Sequence, residues 1–438
     1  MKKFLMVALA IMVCVAGIFA SGQGSSGSSG GTTTVTMPYF RTGQNVGALF
    51  FLPQVERFNQ KYAGQYRLII EELVQDMYKT RMQQLGQSGR LPALVDGGSP
   101  EWIQEFIIPN NMFIDLMSFY QNTPEVKAQM APESVAYNTT KDGKLFSITH
   151  GVVRPIGLFY NPRLYQPSRP ISQMTWEQVS AELGNNKIAF MTSENAWTTM
   201  LTLSSLIAAE PGGAAWLAAG AHQNPRHTNF NIPIMINAVS KLQQLLQRNA
   251  SSNTLGAAYA DAANSFMSMR SAIIANGSWM IGDFEPKNSG NWSNGFNGAD
   301  VRGDVLPGNV VIGGPAVGYS WWIPNTATAR EQELCKAFIA FTLTQDEIER
   351  FMLAEGGTVP GMNLSPGFLA QRAQNKLMDE YVGAVKGNTI LAYNLGDVIP
   401  NSVFESDFGR LLPLLINGTY TAQRFCQELT IKAQEARR

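Results

Sequence analysis

A set of side chains stands out as able to grip a polar ligand. It comprises the indoles of Trp279, Trp321, Trp102 and Trp197, the phenol of Tyr39, the carboxylates of Asp96, Asp283 and Glu355, and the guanidinium of Arg41. Flat rings offer apolar plates, and charged groups offer hydrogen bonds at fixed positions. Motifs for bond-breaking chemistry are missing. There is no HExxH and no GxxxxGK(S/T), and the GxSxG spelling at Gly27 to Gly31 falls in a Gly/Ser tract without a strand to expose the serine. His150, His222 and His227 are scattered, and no Cys/His group has zinc spacing.

Each candidate has a structural alternative. Asn276-Gly277 is a turn signal after an apolar run, so Trp279 emerges at a strand's C-terminal end, unless it folds back into the core. Trp321 and Trp322 are adjacent, so on a strand they point to opposite faces and only one, here taken as Trp321, faces a given cleft. Asp96 sits between Leu94-Val95 and Gly97-Gly98, where it serves equally well as a charge-assisted acceptor or as a turn aspartate. Trp102 follows Ser99-Pro100-Glu101 on a helix's first turn and divides evenly between ligand and core. Trp197 opens a helix whose N-terminus favours a polar ligand. His150 reads as a structural histidine, and Trp176, Trp216 and Trp292 as packing or surface residues.

The elements that position these groups belong to a sizeable folded chain. Its 438 residues suit two to three domains, and Lys+Arg 33 balances Asp+Glu 33 with only 15% charged residues. That balance provides no electrostatic footprint for nucleic acid or an anionic membrane. Lys2 and Lys3 precede an uncharged apolar run from Phe4 to Ala20, which reads as a signal peptide. A retained anchor and lipidation at Cys14 are the alternatives. Cleavage after Ala20 leaves 31 basic (33 less Lys2 and Lys3) against 33 acidic residues, and Cys335 and Cys426 as the remaining cysteines, whose pairing stays open.

Ser21 to Thr34 reads as a flexible Gly/Ser/Thr tether. Beyond it the periodicity predicts a strand at Val35 to Phe40, a helix over Gly47 to Ala63, a strand at Tyr66 to Glu71, a helix through Tyr78, Met82 and Leu85, and a strand near Leu94. The rhythm returns with a strand at Lys187 to Phe190 and helices over Ala196 to Glu210 and Ile234 to Leu246. Such alternation predicts an α/β fold with a parallel sheet, in two units separated by Lys144 to Pro162. Thr344 with Glu347 three residues on predicts a capping box.

Several segments, in order, resemble the sugar-binding members of the extracellular solute-binding proteins of ABC importers, the maltodextrin-binding-like group. They are Gly143-Lys144-Leu145-Phe146 with Leu158-Phe159-Tyr160-Asn161; Phe266 with Ala272 and Asn276-Gly277-Ser278-Trp279; Gly313-Gly314 through Trp322; and Gly357-Thr358-Val359-Pro360. Met269 and Arg270 stand where the group usually has Gly and Lys. The resemblance implies a periplasmic binding protein type II-like fold. Its first lobe would comprise residues 35–152 plus 318–357 and its second 153–317 plus 358–438, after a signal peptide at 1–20 and a tether at 21–34.

It also implies a monomeric, periplasmic, non-enzymatic receptor that closes on a sugar and docks on a membrane permease, with no bound cofactor or metal. A pyranose has C–H groups on its faces and hydroxyls on its rim, which suits the residue set above. The alternatives are a secreted carbohydrate-active enzyme and a binder of a non-sugar solute on the same scaffold.

Overall fold

The computed structural model describes residues 31–43, 47–73, 77–193, 195–221, 227–313, 318–357, 359 and 362–437. The expected signal peptide, Cys14, most of the tether, His222, and the turn residues Gly314, Thr358 and Pro360 lie outside them. Within the described residues the strands are β1 Thr33–Tyr39, β2 Tyr66–Glu72, β3 Val95–Asp96, β4 Ile156–Tyr160, β5 Ile188–Ala189, β6 Ile273–Gly277, β7 Arg302–Asp304, β8 Val310–Ile312, β9 Trp321–Trp322 and β10 Ile390–Ala392. The first strand thus starts two residues before the expected Val35 and takes in the last two residues of the expected tether.

Two buried apolar clusters divide the chain. The first gathers Val35, Met37, Tyr39, Phe58, Leu94, Val95, Phe146, Trp322, Phe338 and their neighbours; the second gathers Leu158, Phe159, Trp176, Leu203, Leu242, Phe266, Ile274, Phe408 and Leu429. In β1 the alternation is plain, with Val35, Met37 and Tyr39 buried and Thr34 and Thr36 exposed. The first core runs on past residue 357 to Phe368, in a segment the sequence reading gave to the second lobe. Cys335 lies in the first core and Cys426 in the second, so the two cannot pair; both are free thiols, pushed up to about 12 by burial.

The second core wraps a sheet ordered β10-β8-β4-β6-β5, with β7 also pairing β4. One face is covered by the helix Trp197–Ala209, buried along nearly its whole length. Its hydroxyls survive burial because they are bonded: Ser204 Oγ donates to the Met200 carbonyl (2.7 Å) and Ser205 Oγ to that of Thr202 (2.8 Å) in the preceding turn, while Thr199 Oγ1 donates to the Met191 carbonyl and Thr198 Oγ1 accepts from the Met191 amide. Ser205 Oγ also accepts from Trp176 Nε1 at 2.8 Å, which fixes that tryptophan in the core. Outside it, the helix Pro233–Asn249 buries Met235, Ala238, Val239, Leu242, Leu245, Leu246 and Asn249, one helical stripe.

The parallel sheet expected from sequence forms only in part. β1/β2, β5/β6 and β8/β10 are parallel, but β4 runs antiparallel to β6, β7 and β8, and β9 antiparallel to β3. For β4 the reason is connectivity: it arrives directly from the other core, without a crossover helix to restore the strand direction.

The expected capping box also fails. Thr344 makes no side-chain cap, its hydroxyl turning back to the Phe341 carbonyl (2.9 Å). Glu347 is instead drawn into the first core, where Arg57 clamps both its oxygens at 2.7 Å and Gln54 adds a bond of 3.1 Å. A carboxylate that is almost wholly buried gains more from a bidentate guanidinium than from one backbone amide. Capping boxes do close at Thr328/Glu331 and Thr175/Gln178.

Glu347→Gln removes the charge from this clamp and is expected to destabilise the first core by about 1.5–2 kcal/mol, because charge-assisted bonds to Arg57, itself partly exposed, are lost or weakened. Urea unfolding checks this. The double variant Arg57→Met/Glu347→Leu is expected to recover most of the loss, and a single variant as stable as the parent would contradict the assignment.

Candidate functional site

Where the chain passes between the two cores it leaves a cleft of about 460 Å³. Strand ends supply its walls. Beyond β1 come Phe40 and Arg41; beyond β3, Asp96, Gly97 and Gly98; ahead of β9, Tyr319 and Ser320; beyond β6, Trp279. Thr149, His150, Val152, Val153 and Arg154 line the passage itself, and Tyr78 and Lys79 open the helix Tyr78–Gln87 at its edge. Crevices at strand ends are where open α/β sheets hold ligands.

Asp96 is the best-anchored acceptor. Its carboxylate takes hydrogen bonds from the Tyr39 hydroxyl and, at 2.9 Å, from Ser320 Oγ. Its backbone N–H and carbonyl both bond the Tyr78 hydroxyl, at 3.1 and 3.0 Å. Burial, reinforced by Asp96, holds the Tyr39 hydroxyl well above its usual range, so Tyr39 stays a donor. Gly97 and Gly98 lie at φ +64° and +137°, and a Cβ on Gly98 would come within 3.1 Å of both Trp102 and Ile103, so the turn that presents Asp96 requires glycine.

Trp279 forms the facing wall. Its ring lies back over the end of β6, where a Cβ on Gly277 would fall 2.2 Å from it. Arg154 sits 5.0 Å above the ring centroid, and Trp197 packs against it at 5.5 Å. Glu355, buried, holds Arg154 at 3.3 Å, while its carbonyl accepts from Ser278 Oγ at 2.6 Å. Burial and the nearby charge of Arg41 bring Arg154 down to about 10. His150 is brought down to about 3 by burial and by the two arginines, so its ring is neutral.

The structure therefore brings Asp96, Arg41 and Trp279 to one cleft. Tyr39 and Glu355 stand behind them, orienting Asp96 and Arg154, and Trp197 backs Trp279. Asp283 lies off the cleft lining, near Glu355, pushed up to about 6 by burial and by that charge. Trp321 and Trp102 face the first core: Trp321 packs on Tyr39, Phe51 and Phe338, and Trp102 on Trp322. On β9 both tryptophans are buried because the first core covers the two faces of that short strand. Arg154, His150, Thr149, Tyr78, Lys79 and Ser320 were missed. Most flank segments already singled out, but nothing in their spacing distinguishes a cleft residue from a turn residue.

Among the described residues, three buried polar atoms at this cleft have no hydrogen-bond partner: Thr149 Oγ1, His150 Nδ1 and Trp279 Nε1, the last near the Tyr259 hydroxyl without closing a bond to it. Buried polar groups are normally paired, and each orphan costs about 1–3 kcal/mol. A larger depression of about 640 Å³ lies on the second core, but its carboxylates Asp304 and Glu380 are spoken for by backbone amides of Ile171 and Gly303. Among the described residues no group of His, Cys, Asp or Glu is placed to hold a metal ion.

Comparison with known proteins gives a consistent result. The family model for bacterial extracellular solute-binding proteins matches residues 54–365. Among solved structures, a chitin oligosaccharide binding protein superposes with TM-score 0.72 at 16% identity, covering 92% of this chain and 99% of its own. A Streptococcus pneumoniae solute-binding protein in complex with the blood group A-trisaccharide gives 0.69 at 14%, covering 92% and 100%. One solved with raffinose gives 0.65 at 15%, covering 93% and 100%. Such identities establish the fold, a type II-like pair of α/β lobes. No curated protein matches the sequence.

Asp283 yields a pH prediction. Its folded-state pKa of about 6 lies above the ordinary carboxylate value, so the folded chain holds that proton more tightly, and the group destabilises the fold progressively as pH rises from about 4 through 6. Asp283→Asn is expected to melt several degrees higher than the parent at pH 7.5 and at the same temperature at pH 4. Thermal melts at the two pH values check it; equal melting at pH 7.5 would refute it.

Proposed function

Because this chain belongs to the bacterial extracellular solute-binding proteins, we propose that it captures a sugar or oligosaccharide between its lobes and delivers it, unaltered, to an ABC importer permease. The observation that carries this reading is the cleft itself: an indole, an anchored carboxylate and three orphaned polar atoms converge on one space between the cores. Ligand hydroxyls would satisfy those atoms, and Trp279 would supply apolar surface to a ring face. The solved structures of like fold with saccharides in their titles support the same ligand class.

The receptor reading is also favoured over hydrolysis by the carboxylates. Glycosidases need a pair flanking the bond, one free to protonate and one free to attack. Here Asp96 is tied by Tyr39 and Ser320, and Glu355 is buried under Arg154. The protein is proposed to work as a monomer outside the cytoplasm, exported by Met1 to Ala20 and joined by the tether. Among the described residues no helix is long and apolar enough to cross a membrane.

Delivery requires opening, and the cleft's lips show what must part. Lys79 of the first lobe pairs with Glu405 of the second and lies 5.3 Å over the Phe404 ring; the Asn401 amide donates to Glu101 Oε1 at 3.1 Å. Such half-exposed contacts are worth about 1 kcal/mol or less each, so they bias closure without locking it. Ligand contacts made to both lobes add the remaining preference for the closed state.

Calorimetry on a saccharide panel tests the reading. Trp279→Ala is expected to weaken the best ligand by about 1 kcal/mol or more, roughly fivefold. Glu405→Gln, which does not line the cleft, is expected to weaken it about twofold by favouring the open form. No saccharide binding to the folded parent protein, or release of a shortened sugar, would overturn the reading.

A further inference from the structure

Trp279 faces the cleft as a plate, yet its ring is already occupied. Beneath it lies Gly277, where a Cβ would come 2.2 Å from the ring, and Trp197 packs beside it at 5.5 Å. A ring seated so closely on backbone has one broad face left to offer. The guanidinium of Arg154 stands over the ring, 5.0 Å from its centroid.

Arg154 is held there from the other lobe. Phe351, on the helix Gln345–Glu355 of the first core, has its ring centroid 5.3 Å from the same guanidinium, and Glu355 Oε2 accepts from Nη1 at 3.3 Å. A planar, delocalised cation between an indole and a phenyl ring is well placed, because guanidinium is weakly hydrated and aromatic faces attract positive charge. Trp279 packs on the second core and Phe351 belongs to the first, so this stack bridges the lobes without a ligand.

A pyranose that stacks on Trp279 needs the same space above the ring. Both cannot have it. Resting on the sugar-receptor reading, we propose that Arg154 is a built-in occupant of the Trp279 plate, standing in for the sugar in the empty protein and displaced by it on binding. The displaced guanidinium keeps Glu355 and Phe351 and turns its remaining N–H donors to the rim of the ligand. The stack thereby sets a threshold for selection: a solute binds only when its contact with the indole outweighs that of Arg154, which favours a ring with an apolar C–H face.

Calorimetry of the full-length protein with the tightest saccharide of the panel compares Glu355→Gln with Arg154→Gln/Glu355→Gln, so that neither variant strands a buried carboxylate. The double variant is expected to bind several-fold tighter, since no guanidinium has to leave the indole. In parallel, the Arg154 Nε–H resonance is followed in the parent protein carrying isotope-labelled arginine and is identified by its loss in the double variant. It is expected to be shifted upfield by the indole ring current in the empty protein and to return downfield at saturation. Equal or weaker binding by the double variant, or a resonance unshifted when empty or still shifted at saturation, would overturn the proposal and leave the sugar reading standing. Should the double variant not melt cooperatively, the resonance decides alone. Failure of every saccharide to bind any of these proteins, with the parent melting cooperatively, would overturn both.

Discussion

The ion pair between Arg154 and Glu355 is the joint on which the cleft depends. Arg154 belongs to the segment that leaves the first core for β4, and Glu355 ends the helix Gln345–Glu355 of the first core. Taking such a pair out of water is unfavourable unless its geometry and neighbours compensate. Compensation comes from Ser278, whose hydroxyl bonds the Glu355 carbonyl, and from Gly356, where a Cβ would lie 2.3 Å from the Ser278 side chain. The end of a first-lobe helix is thereby seated on the end of a second-lobe strand, and Trp279, one residue further, is set against Arg154.

From that joint the division of labour follows. The first lobe contributes fixed polarity: Asp96 on its glycine turn, oriented by Tyr39, Tyr78 and Ser320. The second contributes a ring. Between them, Tyr381 ties the base of β4, accepting from the Gly157 amide at 2.5 Å and donating to the Asn276 carbonyl at 2.7 Å, so the strand carrying the passage is braced against β6. Rigid lobes joined by a few crossing segments make hinge closure the cheapest large motion available to the chain.

Much of the scaffold was readable in the sequence because its signals are local. Alternation in Thr33–Tyr39 and the helical stripe of Pro233–Asn249 each depend on near neighbours, whereas Asn276-Gly277, expected to turn, stays in β6 and pairs with Gly157 and Ile156, the chain turning only from Ser278. The direction of β4 was not readable, since it is set by which core the chain arrives from. Nor was the fate of Glu347, where a distant Arg57 outcompetes the local cap. At the site the same limit holds. Asp96, Arg41 and Trp279 were marked by turn chemistry at strand ends, whereas Trp321 and Trp102 carry similar local signals and are claimed by the first core. Arg154 and His150 become cleft residues only when a partner contributed some 200 residues away in sequence, Glu355 or Phe351, closes over them.

The central claim is that two lobes close on a saccharide and release it chemically intact. Small-angle scattering on the tether-cleaved protein, with the bound sugar recovered afterwards and weighed by mass spectrometry, tests it most directly. The account expects the radius of gyration to contract on saturation and the recovered mass to be unchanged. A scattering curve indifferent to a sugar that calorimetry shows to be bound, or a recovered fragment, would contradict it.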